Sequence, residues 1–334
     1  MDRNKPYNEN HDVSFIKFIS KNRQNLMGTS ILLILLYHAF CWIPPEQNNL
    51  FTLFKYGYIG VDIFMLLSGF GLCYSYTKNS IIMFYVRRLV RIFPLYIISG
   101  TIISMFIIQH GEDMSIWDFF CNISTLSYYN VGGTYWNWYI PAIVLFYLLF
   151  PIMYIGYKKY STTLYLITNL VVIITTLFPI PWQYECLITR IPIFVLGILI
   201  YLNQRNTSVQ KELFLLTFAS FIICSAYNLS SYYLTATFCP LLLLLISRLG
   251  EEWPQAEKFH IKYKCFNIGK YTLEIFLGNS ISYYVIHLIA QHTQQTVAFH
   301  FTYWSTTILL SILFIWTNNF IMRKIHFNSG NIHF

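Results

Sequence analysis

Apolar residues in this chain gather in long continuous runs. Stretches of about 20 residues with few charges occupy roughly 26–44, 58–77, 92–109, 138–157, 162–180, 271–290 and 304–322, with shorter ones near 188–202, 213–228 and 233–247. A bilayer core about 30 Å thick takes about 20 helical residues per crossing. Strands of a membrane barrel would instead be short and alternating, and runs such as SILLILLYHAF do not alternate. The pattern predicts an all-α, polytopic membrane protein with about ten transmembrane helices.

Composition agrees with that reading. Of 334 residues, 56% are hydrophobic and only 11% charged, where a soluble domain carries about 25% charged residues. The net charge of +8 does not point to nucleic acid, because of where the charges fall. With residue 1 in the cytoplasm and the side alternating at each run, 20 of the 22 Lys and Arg lie on the cytoplasmic side; only Lys55 and Arg190 lie on the other. Cytoplasmic loops carry such an excess, so both termini are expected in the cytoplasm and the protein in the cell membrane. The domain plan is a polar tail at 1–25, a transmembrane domain at 26–322 and a tail at 323–334. The amino-terminal segment has no signal-peptide cleavage site, which makes the first run a retained span. Seven scattered Cys without a CxxC pair give no reason to expect a metal or a disulfide framework. The longest outer connection, 110–137, mixes Glu112, Asp113 and Asp118 with aromatics, as a segment lying along the membrane surface would.

Ionisable groups inside apolar runs are costly and therefore candidates for function. His38 stands in the first run as LLYHA, in the outer half of the membrane, where an imidazole can act as a general base. Asp62 opens the second run, near the outer boundary, and could orient that imidazole or bind a polar group; a helix-start acid is the plainer reading. Ser68 and Gly69 below it read as small residues for close helix packing. In FYVRRLVRIFP, Arg87, Arg88 and Arg91 share a helical flank at the cytoplasmic mouth. Arginine forks suit phosphate, as coenzyme A would present; anchoring to anionic lipid is the alternative. Glu274, at the inner end of the ninth run, is a structural ion-pair candidate for one of these arginines. Arg190 is a candidate for an acceptor or oxyanion contact, or a snorkelling anchor. Trp136, Trp138 and Tyr139 fit either an aromatic belt or a sugar-stacking platform.

Taken together, NLMGTSILLILLYHAF, GYIGVDIFMLLSGFGL, FYVRRLVRIFPLY, WNWYIPAIVLFYLLFP, RIPIFVLG and GKYTLEIFLGN resemble the acyltransferase-3 family of integral membrane acyltransferases, over about residues 25–290. The resemblance implies transfer of an acyl group, usually acetyl, from cytoplasmic acetyl-CoA as donor substrate, with no bound cofactor. The acceptor it implies is a sugar hydroxyl of an envelope glycan or a lipid-linked saccharide. The family histidine carries over to His38, and the paired arginines two residues apart to Arg88 and Arg91. The family's basic residue, eleven positions before the histidine, falls on Met27; Arg23, one turn earlier, is the nearest side chain able to substitute. A family histidine after the LEIF-like segment is Asn279 here, which keeps hydrogen bonding but cannot exchange protons near neutrality. On this reading His38, oriented by Asp62, deprotonates an acceptor hydroxyl, while Arg190 or Asn279 steadies the oxyanion. The competing classes are a proton-coupled transporter, which internal symmetry would favour, and a non-catalytic membrane subunit of a glycan-export assembly.

Overall fold

The computed structural model describes residues 14–41, 51–110, 113–129, 136–252, 267–290 and 297–328. Glu112, Lys262, Lys264, Cys265 and the outermost parts of both expected tails lie outside the described residues. Among the described residues there is no strand. The helices are α1 (Ser14–Phe40), α2 (Ile59–Lys78), α3 (Ile81–Gln109), α4 (Ile116–Ile123), α5 (Tyr139–Lys159) and α6 (Ser161–Thr176). They continue with α7 (Trp182–Ile188), α8 (Ile191–Leu202), α9 (Thr207–Ala226), α10 (Ser231–Glu252), α11 (Thr272–Ala290) and α12 (Val297–Asn328). Among the described residues each apolar run lies mainly on one of them, the 188–202 run reaching from the end of α7 into α8. Seven segments among the described residues are long and apolar enough to cross a membrane: Leu53–Lys78, Ile81–Gln109, Tyr139–Lys159, Trp182–Leu202, Thr207–Ala226, Ser231–Leu249 and His300–Lys324.

Helix boundaries depart from the runs where charges sit inside helices. Helix α1 begins at Ser14, well before Leu26, with Phe15 and Ile19 buried. Helix α3 begins at Ile81, capped by the Ser80 side chain accepting from Met83 N at 3.3 Å, so Arg87, Arg88 and Arg91 ride on the helix of the third run. The span around 188–202 starts earlier, at Trp182, and is broken at Thr189–Arg190, with Pro192 just inside the second piece. Proline is tolerated in a first helical turn, where its missing N–H would have no partner.

The chain divides into two compact units. The first comprises Met1–Ser30, Ile59–Thr77 and Phe150–Gly269. Within it α2 and α8 touch backbone to backbone: a Cβ on Gly69 would collide with the carbonyl of Phe194, and one on Gly197 with the carbonyl of Leu66. Small residues permit such approach in a solvent as apolar as the side chains themselves. Helices α6, α9 and α10 are tied by polar contacts instead. Asn169 Oδ1 accepts from Tyr233 Oη at 2.8 Å and Ser220 Oγ at 3.2 Å, and the Tyr165 and Thr217 hydroxyls meet at 2.8 Å.

The second unit comprises Ile31–Tyr58, Lys78–Leu149 and Lys270–Phe334. Helix α11 packs on α12 and on α3, and Gly278 lets it approach Ser311 of α12, 3.0 Å from where a Cβ would stand. Helix α12 exposes Phe301, Ile308, Leu309, Ile312 and Trp316, the apolar surface a lipid-facing helix presents. The 110–137 connection contains α4, which a reciprocal capping box closes: Asp118 N donates to Ser115 Oγ, and Ser115 N to Asp118 Oδ2. The Ser115 hydroxyl, donating to Oδ2, and then the Ser115 N–H hold the Asp118 carboxyl below the usual carboxylate range.

Candidate active site

His38 lies in the last turn of α1, half-buried. Helix α11 brings two side chains to it, and their spacing explains why: Asn279 and Tyr283 are four residues apart and share a face. Asn279 Nδ2 stands 2.6 Å from His38 Nδ1. The Tyr283 ring lies 4.5 Å from the imidazole, centroid to centroid, and Tyr37 lies 5.2 Å away. Behind Asn279 is Tyr303 of α12, whose hydroxyl is 2.5 Å from Asn279 Oδ1 and 3.1 Å from the carbonyl oxygen of Leu35, one turn before His38. Asn279 and Tyr303 are buried, and Tyr303 packs with Ala39 and Ile286. The imidazole is thus fixed on one nitrogen by a buried polar chain that returns to its own helix.

Asp62 has a different partner. Its Oδ1 is 3.0 Å from Arg190 Nε, with both side chains fully buried. Arg190 also donates from Nη1 to the Cys186 carbonyl at 3.0 Å, and its guanidinium lies 5.4 Å from the ring centre of Tyr232. Within the first unit this pair joins the start of α2 to the break between α7 and α8. The sequence singles out His38, Asn279, Asp62 and Arg190; the structure pairs them as His38 with Asn279 and Asp62 with Arg190.

The arginines keep their common flank on α3. Arg88 is held between the rings of Phe84 and Tyr147, each 5.9 Å from its guanidinium carbon, while Arg91 is exposed and Arg87 half-buried. Glu274 does not take one of them: its Oε1 accepts from Asn318 Nδ2 of α12 at 2.5 Å. The Arg23 guanidinium packs over Gly71 of α2, with one nitrogen 3.3 Å from where a Cβ would stand. Trp138 is half-buried, with its ring edge-on to Tyr139 at 6.0 Å. Its neighbours anchor the start of α5: Trp136 stacks on Tyr96 of α3 at 5.1 Å, and Asn137 Nδ2 donates to Ser280 Oγ of α11 at 3.1 Å. A cavity of about 400 Å³ in the first unit, lined by Phe15, Lys211, Phe214, Leu241 and Arg248 among others, contains none of the expected site residues.

Sequence reasoning missed Tyr303, Tyr283 and Asn137. Tyr303 stands one residue ahead of the last apolar run, one of 27 tyrosines, and nothing local marks it. Asn137 sits inside the TYWNWYIP segment, where the aromatics draw the eye.

No match to the chain was found among curated proteins or among solved structures. The acyltransferase domain of the acyltransferase-3 family matches residues 25–318, a stretch that takes in His38, the α3 arginines, Asn279 and Tyr303, and the chain belongs to that family.

Proposed function

We propose that this membrane acyltransferase moves an acetyl group from cytoplasmic acetyl-CoA to a hydroxyl of an exported or envelope saccharide. The observation that carries the reading is His38, fixed by Asn279 through one nitrogen inside the matched domain. In the proposed cycle the CoA phosphates dock on Arg87, Arg88 and Arg91. The acceptor hydroxyl gives its proton to the free nitrogen of His38, and its oxygen bonds to the thioester carbonyl carbon. The C–S bond then breaks, and the leaving thiolate takes the proton back from the imidazolium. Trp138 and the aromatics around it offer ring faces to a sugar. Asp62 and Arg190 serve each other, bracing α2 against the α7–α8 break. The proposal places the enzyme in the cell membrane with ten crossings, α1, α6 and α11 joining the seven long segments, and both termini in the cytoplasm; the charge bias supports it.

The test is mass spectrometry of envelope glycans from a deletion strain carrying the wild type or His38→Ala. An acetyl unit on a defined sugar is expected with the wild type and missing with His38→Ala. In purified protein His38→Ala should lose on the order of 10²–10⁴-fold in rate, as removal of a positioned base does, with melting in detergent near normal. Retention within about threefold of the wild-type rate removes His38 as the base. Identical glycans with and without the wild-type gene remove the saccharide as acceptor.

A further inference from the structure

The chain Leu35–Tyr303–Asn279–His38 can be closed by a count of protons. Leu35 contributes a carbonyl, which only accepts. A phenol has one proton, a side-chain amide one acceptor oxygen and two N–H groups, and a neutral imidazole one N–H and one lone pair. The amide oxygen and nitrogen can exchange places without moving any neighbour, so the amide has two settings.

With the amide oxygen toward Tyr303, the single phenol proton faces two oxygens, Asn279 Oδ1 at 2.5 Å and Leu35 O at 3.1 Å. One of those approaches then has no proton in it and sets two oxygens face to face, although Leu35 O keeps the Ala39 N–H of its own helix. The amide also donates to Nδ1 in this setting, so the imidazole proton sits on Nε2 and no nitrogen is left to act as a base. With the amide nitrogen toward Tyr303, each contact in the chain has one proton. The amide donates to the phenol oxygen, the phenol donates to Leu35 O, and the amide oxygen accepts from Nδ1–H of His38. The lone pair is then on Nε2.

We propose that Tyr303 is a positioning residue: through Asn279 it holds the proton of His38 on Nδ1 and leaves Nε2 open to receive the proton of the acceptor hydroxyl. This rests on the reading of His38 as the base and adds how that base is kept in its working tautomer. A fixed tautomer matters because a histidine in the wrong one cannot take a proton where the substrate presents it.

The experiment is nitrogen NMR of full-length protein labelled with ¹⁵N-histidine, in lipid, above the pH at which imidazoles titrate. His38 is identified by the signals lost in His38→Gln. Ring-proton correlations show which nitrogen carries hydrogen; the proton is expected on Nδ1 in the wild type. In Tyr303→Phe it should move to Nε2 or divide between the two, with kcat down on the order of 10–100-fold and the KM for acetyl-CoA unchanged. Asn279→Asp keeps an acceptor facing Nδ1 and should keep the proton there. A wild-type proton on Nε2 overturns the proposal, as does a Tyr303→Phe protein with the proton still on Nδ1 and full activity. Should Tyr303→Phe fail to fold, the wild-type tautomer and Asn279→Asp decide: reversal of the tautomer by aspartate would mean that the amide donates to Nδ1, and the proposal falls. An active His38→Ala with the expected tautomer pattern would leave the relay standing and remove the base assignment alone.

Discussion

A carboxylate and a guanidinium without exposed surface persist in an apolar interior because each has the other. Asp62 and Arg190 meet at 3.0 Å, and the guanidinium is further held by the Cys186 carbonyl and the Tyr232 ring. Breaking a buried pair by removing one charge typically costs about 3–5 kcal/mol, whereas replacing both with apolar side chains is often neutral. Asp62→Asn is therefore expected to lower stability by about that amount, and Asp62→Leu with Arg190→Met to recover most of it. Unfolding of the purified protein in detergent, read as a double-mutant cycle, measures this. Losses that simply add would mean the two side chains do not depend on each other and would free Asp62 for a part in catalysis. Both residues were conspicuous in the sequence because charge inside an apolar run is rare. Their partnership was not, since 127 intervening positions separate them and hydropathy carries no information on which helix faces which.

At the scale of the element, the proposed donor site rests on α3. It is a single helix from Ile81 to Gln109, although Pro94 lies inside it. The arginines therefore sit on a rigid support continuous with the third span, with Arg88 clasped by Phe84 and Tyr147. Lysine keeps the charge that lipid anchoring needs and loses the planar fork that phosphate recognition uses. Arg88→Lys and Arg91→Lys should insert normally and weaken acetyl-CoA binding by ~10–100-fold, the value of a lost charge-assisted contact. Calorimetry at fixed low salt checks it, and unchanged affinity in both variants would return the cluster to membrane anchoring. The close packing of α2 was legible in advance, since Gly69 in a Leu-rich helix has little purpose other than approach; its contact at the Phe194 carbonyl bears this out. The early starts of α1 and α3 and the break at Arg190 were less legible. Hydropathy drops at a charged residue whether or not the helix continues, so the runs end before the helices do.

For the whole molecule, the charge bias makes a topological prediction. Lys158, at the end of α5, and the exposed Asp113, ahead of α4, should lie on opposite sides of the membrane. Single cysteines at these positions, in a cysteine-free background on intact cells, should react with an impermeant maleimide at 113 and not at 158. Labelling at both, or the reverse, would overturn the placement of the spans between them. By itself the sequence determined the helical class, the order of the helices and a short set of chemically capable side chains. These follow from local properties: continuous apolar runs exclude strands, and an ionisable group in such a run needs a reason. Only the tertiary structure decided the pairings. His38 and Asn279 are 241 residues apart, and Tyr303 comes from a third helix. Leu- and Ile-rich faces fit many partners about equally well, so the rotation and depth of each helix come from backbone contacts at Gly69, Gly197 and Gly278 and from buried hydrogen bonds, which exist only once the helices meet.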